Sequence, residues 1–252
     1  MIKKEDLLSR AVWKNLAPRL AELDYFQDIA LLLLSKEFGN KLVFKGGTCL
    51  YKVYKLDRFS EDLDFTAKPG FKGKDFFARL PYLFSLLDIK STVKIESFHN
   101  NINVYLRIAG HFYNGSKELL ATLIMNVSCR EKTLLPIQRF PYIPLYSEVR
   151  PFDILAMDER EILAEKVRAI YQRNKARDVY DTWYLLCRKK VSFDSQLVAR
   201  KLSGSGIKFI RHTFLDKVEE KRKSWEMDLR GLVAGELLSF TEAKKVIAAA
   251  IA

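Results

Sequence analysis

Between residues 41 and 65 the chain changes periodicity twice, and the order of those changes restricts the fold more than any other feature. An apolar run at 41–44 meets the tight turn Gly46-Gly47, and 48–54 then reads as a short helix. After Arg58-Phe59-Ser60, the stretch Glu61-Asp62-Leu63-Asp64-Phe65 alternates acidic and apolar residues with period 2, as a half-buried strand does, and Pro69-Gly70 closes it.

The flanking sequence has a different rhythm. Helical patterns cover 3–16 and 23–38, the second meeting Gly39, which is expected as a left-handed C-cap. A helical stretch at 74–87 is expected to break or kink near Pro81. Three β-like segments follow at 92–98, 102–108 and 119–128, and the proline-bearing stretch 133–155 reads as an irregular bridge with one edge strand at its end. From Asp158 the pattern is helical, with Gly204 and Gly206 as its one strong break. The order helix, mixed strands, helices predicts an α+β protein with a core domain at 1–155 and a helical region at 156–252.

Several functional classes drop out on composition. The chain has 252 residues, and its apolar runs, such as 29–34, are far below the roughly 20 residues a membrane span needs. The N-terminus mixes acids and bases without an apolar stretch, so a cytoplasmic location is expected. Cys49, Cys129 and Cys187 form no CxxC pair and are expected as small buried hydrophobes, while His99, His111 and His212 lack metal-ligand spacing. The net charge is +12, and residues 166–190 hold eight bases against two acids, which points to an anionic partner. Lys221-Arg222-Lys223 beside Trp225 suits either RNA phosphates with an aromatic platform or a solvated helix face.

The chemistry concentrates in Lys45-Gly46-Gly47-Thr48 and, thirteen residues on, Asp62-Leu63-Asp64. Side chains two apart on a strand share a face, so the two carboxylates stand side by side and call for a cation, Mg²⁺ or Mn²⁺ by ligand hardness. Glycines without Cβ let backbone N–H groups approach a phosphate, and Thr48 opens a helix whose N-terminus favours an anion. Lys166 and Arg173, seven apart, share a helix face and offer a point charge and a planar fork to phosphate oxygens. Asp178 and Asp181, three apart, can each pair a neighbouring base, so an interhelical salt-bridge network, of Asp181 and Arg177 before Lys166, is an open alternative.

The strand, GG[ST], helix, DxD arrangement resembles the DNA polymerase β-type nucleotidyltransferases. More narrowly, FKGGTCLYKVYKLDRFSEDLDF is similar to the signature of the AbiEii/AbiGii toxin family, and residues 161–181 are similar to that family's second block, EKxxAxxxRxKxRDxYD. The resemblance implies a polymerase β-like core with a mixed sheet, flanked by N-terminal helices and completed by a helical C-terminal half around a basic cleft. It implies transfer of a nucleoside monophosphate from an NTP to an acceptor hydroxyl, with RNA, a tRNA end, as acceptor and an antitoxin protein as partner. Asp62 and Asp64 would ligate the metal; Lys45, Gly46, Gly47 and Thr48 would hold phosphates, with Arg58, Ser60 and Arg173 as further contacts. Lys166 would sit on the triphosphate and Asp178 in the active cleft. Where a third carboxylate is expected this chain has Asn126, whose amide cannot accept a proton, and Glu96 is the rival for that position. The alternative is a catalytically silent nucleotide- or RNA-binding module of the same fold.

Overall fold

The computed structural model describes residues 1–98 and 101–251, so His99 lies outside the described residues. The chain forms two compact units, the first made of Met1–Val53, Phe59–Thr133 and Ile137–Ala156 and the second of Tyr54–Arg58, Leu134–Pro136 and Met157–Ala252.

The first unit opens with α1 (Lys4–Lys14) and α2 (Pro18–Phe38). Helix α2 starts earlier than its apolar spacing predicts, because Pro18 suits a first helical turn and the helix is buried on nearly every side, leaving no stripe to read. Gly39 does not adopt the expected left-handed cap; its φ is −53° and the chain stays right-handed there. Then come β1 (Leu42–Lys45), α3 (Gly46–Lys52), β2 (Leu63–Ala67), α4 (Lys74–Ser85), β3 (Lys90–Phe98), β4 (Asn101–Ala109), β5 (Ala121–Ser128), β6 (Gln138–Tyr142) and β7 (Phe152–Ala156). Helix α4 continues past Pro81, since Phe76, Phe77, Leu80 and Phe84 bury one face and outweigh the missing hydrogen bond.

The strands form one mixed sheet in the order β3-β4-β5-β2-β1-β7-β6. Parallel pairs β2–β5 and β1–β7 sit among antiparallel neighbours. Strand β6 falls in what reads as an irregular bridge. It is an edge strand, and there Pro141 removes no hydrogen bond that the sheet needs. Leu63, Phe65, Leu123, Met125, Val127, Val104 and Leu106 are buried on one face, against which α2 packs at β5 and α4 at β3.

The second unit is helical: α5 (Glu159–Gln172), α6 (Ala176–Cys187), α7 (Ser195–Ser203), α8 (Arg211–Glu219), α9 (Trp225–Leu229) and α10 (Phe240–Ala250). Asp158 caps α5 by accepting from the Arg160 N–H, and Ser239 with Glu242 forms a capping box on α10. The two short segments that join this unit are tied in by polar groups. The Tyr184 hydroxyl donates to the carbonyls of Tyr54 (3.1 Å) and Lys55 (2.6 Å), and Glu161 accepts from the N–H groups of Leu134 and Leu135, both at 2.8 Å. Of the cysteines only Cys49 is buried; Cys129 and Cys187 are exposed, contrary to expectation, because each stands at or just beyond the end of its element. Among the described residues no helix is long and apolar enough to cross a membrane.

Candidate active site

In the first unit the sheet register builds the site. Lys45 of β1 stands opposite Asp64 of β2, Asp64 opposite Asn126 of β5, Asn126 opposite Asn103 of β4, and Asn103 opposite Glu96 of β3. Registered residues share a face, so these five polar side chains form one row. At the end of β1 the chain turns on Gly46, whose φ of +75° lies in the left-handed region, and a Cβ there would meet Asp64 Oδ2 at 2.5 Å. Glycine is therefore required twice over, for the turn and for the approach of the acid.

Asp62 precedes β2 rather than lying within it, yet the alternation holds: Leu63 is wholly buried between two half-buried acids. Two buried groups fix this segment. The Thr48 hydroxyl donates to the Asp62 carbonyl, and Gln27 of α2 donates through Nε2 to the carbonyls of Ser60 (2.8 Å) and Glu61 (2.7 Å). Sequence reasoning missed Gln27. Its signal was an amide within a helix that is otherwise close to wholly buried. Ser60 is itself buried, and the Lys45 ammonium pairs with Glu131, which follows β5.

Asn126 Nδ2 donates to Asp64 Oδ1 at 3.0 Å, so the amide orients the carboxylate instead of duplicating it. Glu96 lies three strands from Asp64, about 14 Å at the usual strand spacing, and pairs with Lys94 at 2.6 Å. Asp64 and Glu96 therefore do not meet at one ion. Among the described residues no three His, Cys, Asp or Glu side chains converge. Two half-buried carboxylates beside a glycine turn nonetheless fit one hard divalent ion that completes its shell with phosphate oxygens and water, as Mg²⁺ does.

In the second unit the sequence-singled residues form an ion-pair cluster between α5 and α6. Lys166 Nζ lies 3.0 Å from Asp178 Oδ1 and 2.7 Å from Asp181 Oδ2. Arg58 grips Asp181 through Nε (2.7 Å) and Nη2 (2.6 Å), and is buried with it. Arg173 forks onto Asp178 at 2.7 and 2.8 Å while its side chain stays 58% exposed. Burial alone would raise Asp178, but Lys166 and Arg173 outweigh it and hold the carboxyl well below the usual range; Arg58 and Lys166 do the same for Asp181. Burial would lower Lys166, and the two aspartates raise it instead. Every member therefore stays charged. These contacts are an interhelical network in which Asp181 takes part as the spacing allowed, but its cations are Lys166 and Arg58, with Arg173 on Asp178. Elsewhere in this unit Trp225 is buried and donates to the Leu238 carbonyl at 3.0 Å, so it offers no open stacking face, and His212 is exposed on α8. His111, in the first unit, contacts the Ile2 carbonyl at 2.7 Å.

A family model described as the nucleotidyl transferase AbiEii toxin of type IV toxin–antitoxin systems matches residues 31–246. Among solved structures, MenT4, a nucleotidyltransferase toxin of Mycobacterium tuberculosis H37Rv, shares the fold with a TM-score of 0.70 at 21% identity, over 100% of this chain and 89% of its own. JHP933 of Helicobacter pylori does so with a TM-score of 0.61 at 17% identity, over 93% and 90%. A search of the curated proteins finds no match. The family match runs from α2 into α10 and takes in both the acidic strand and the α5–α6 cluster: the chain belongs to the AbiEii family of nucleotidyltransferase toxins.

Proposed function

We propose that the protein transfers a nucleoside monophosphate from an NTP to a hydroxyl of RNA, a tRNA end, in the cytoplasm, under the control of an antitoxin protein. The observation that carries the reading is the close approach of Asp64 to the Gly46 turn, which sets an acid directly against the glycines at the start of α3. The acceptor oxygen bonds to the α-phosphorus as the bond to the β-phosphate oxygen breaks, and pyrophosphate leaves. The hydroxyl proton goes to water or to an aspartate, because the Asn126 amide has no basic site for it.

Asp62 and Asp64 would hold a divalent cation, Mg²⁺ or Mn²⁺, as nucleotidyltransferases generally do. When bound, that ion neutralises phosphate charge. Gly46 and Gly47 present backbone N–H groups to the phosphates, and Thr48 and Gln27 keep the acidic segment in place. Lys45 holds Glu131 and adds positive charge beside Asp64. In the second unit Lys166 is kept protonated by Asp178 and Asp181, and Arg173 supplies the exposed guanidinium suited to phosphate. Arg58 acts through Asp181, and Ser60 through its backbone.

Incubation with each α-labelled NTP, Mg²⁺ or Mn²⁺ and total RNA should label a discrete RNA, and Asp62→Ala with Asp64→Ala should lower transfer on the order of a thousandfold or more. Transfer by that double variant at the wild-type rate would sink the mechanism. Asn126 favours a second reading, a silent module that binds NTP without turnover. Pyrophosphate release by the wild type rejects it.

A further inference from the structure

The sheet of the first unit has two unlike faces. On β3, β4 and β5 the residues that alternate with the buried apolar set are Lys90, Thr92, Lys94, Glu96 and Phe98, then Asn101, Asn103, Tyr105 and Arg107, then Thr122, Ile124, Asn126 and Ser128. Lys90, Thr92, Lys94, Arg107 and Thr122 are exposed, Phe98 is 59% exposed, and Tyr105 is half-buried. A solvent-facing antiparallel sheet is ordinarily polar. This one also combines three cations with two aromatic rings and one acid, Glu96, which Lys94 already pairs at 2.6 Å.

The register joins this surface to the acidic site. Lys94 faces Tyr105, Tyr105 faces Ile124, and the next row on the same face, Glu96, Asn103, Asn126, ends on Asp64. We propose that this open face is where the single-stranded end of the acceptor RNA lies. Tyr105 and Phe98 stack its bases, Lys90, Lys94 and Arg107 meet its phosphates, and the asparagine row leads its terminal hydroxyl toward Asp64. The inference rests on the RNA-directed reading given above. Unpaired bases suit aromatic rings on a flat sheet, whereas a duplex hides its bases and would leave both rings without a partner. The surplus of positive charge favours a polyanion over an apolar or basic protein surface.

The test is fluorescence anisotropy with a labelled short single-stranded RNA of mixed sequence, using the full chain. Tyr105→Ala and the pair Lys94→Glu, Arg107→Glu should each weaken binding about tenfold or more, with Tyr105→Phe retaining it. Removing two cations that meet phosphates should also flatten the salt dependence by about 1.4 in log–log slope. Lys72→Glu, an exposed charge reversal on a loop of the same unit, serves as control and should change little. Unchanged affinity in the sheet variants, an equal loss in Lys72→Glu, or no RNA binding by the wild type overturns the proposal. Label transfer is measured on the same preparations. If transfer fails while binding still depends on Tyr105 and Arg107, the surface stands and the activity reading falls; if transfer succeeds and binding ignores them, the reverse holds.

Discussion

Each unit buries a lysine between two aspartates of one helix, but the two clusters are connected differently. In the first, Lys52 of α3 meets Asp24 Oδ1 at 2.8 Å and Asp28 Oδ1 at 2.5 Å, both from α2. Asp24 has a second cation in Lys14 at 2.5 Å, whereas among the described residues Asp28 has the Tyr142 hydroxyl besides, at 2.8 Å, and no partner for its Oδ2. In the second unit both aspartates have a second cation, Arg173 on Asp178 and Arg58 on Asp181, and Arg173 reaches solvent. The closed cluster holds α3, the helix that begins at Gly46, against α2. The open one joins α5 to α6 and keeps the Arg173 guanidinium at the surface, where an anion can reach it.

Removing each lysine should separate the roles. Lys52→Met leaves Asp28 buried without a cation, so stability in urea should fall by about 3–5 kcal/mol, while the molecules that remain folded turn over normally. Lys166→Met leaves each aspartate a guanidinium, so the stability loss should be smaller, but transfer per folded molecule should drop on the order of a hundredfold. If Lys166→Met instead unfolds as readily as Lys52→Met with unchanged turnover, the second cluster is structural too and the contrast fails.

Acid should sharpen the comparison through opposite signs. Asp178 and Asp181 have folded pKa values below those of the unfolded chain, so their contribution is complete above about pH 4 and is lost as the pH falls through the folded values. Asp28 is raised by burial, which Lys52 only partly offsets, so its contribution is present below the unfolded pKa and is lost as the pH rises through the folded one. Urea midpoints followed against pH should therefore show Asp178→Asn reducing the loss in strong acid and Asp28→Asn removing a decline that sets in as the pH rises above the unfolded carboxyl range. Identical pH profiles for the two variants would contradict the assignment.

The open cluster was legible in the sequence and the closed one was not, for a physical reason. Lys166 lies on α5 and Asp178 and Asp181 on the next helix, while Arg173 stands just past the end of α5 in extended backbone rather than on the helix face its seven-residue spacing suggests; all four are close in sequence, so local structure brings them together. Lys52, Asp24, Asp28, Lys14 and Tyr142 come from α1, α2, α3 and β6, so only the packed structure reveals them. The Gly46 turn and the acidic alternation were likewise readable, because both are local. The contact of Asp64 with Gly46 needed the β1–β2 register, and Glu96 lost its place beside Asp64 to the same register. Strand β6 was hidden by Pro141, a residue that excludes a central strand but not an edge.

The finest test of the open cluster is its exposed arm. Arg173 is solvated over much of its length, so Arg173→Ala should change stability by no more than about 1 kcal/mol, while removing a phosphate-binding guanidinium there should raise the KM for NTP several-fold with kcat little altered. Arg173→Lys keeps the charge but loses the two-pronged fork, so it should restore KM only in part. The alanine change also removes one of the cations holding Asp178 low, and the acid limb of the pH–rate profile should then move upward. A fall in kcat with constant KM would mean that Arg173 serves Asp178 alone. That outcome would leave both clusters as supports for the fold, differing only in how many cations each aspartate keeps.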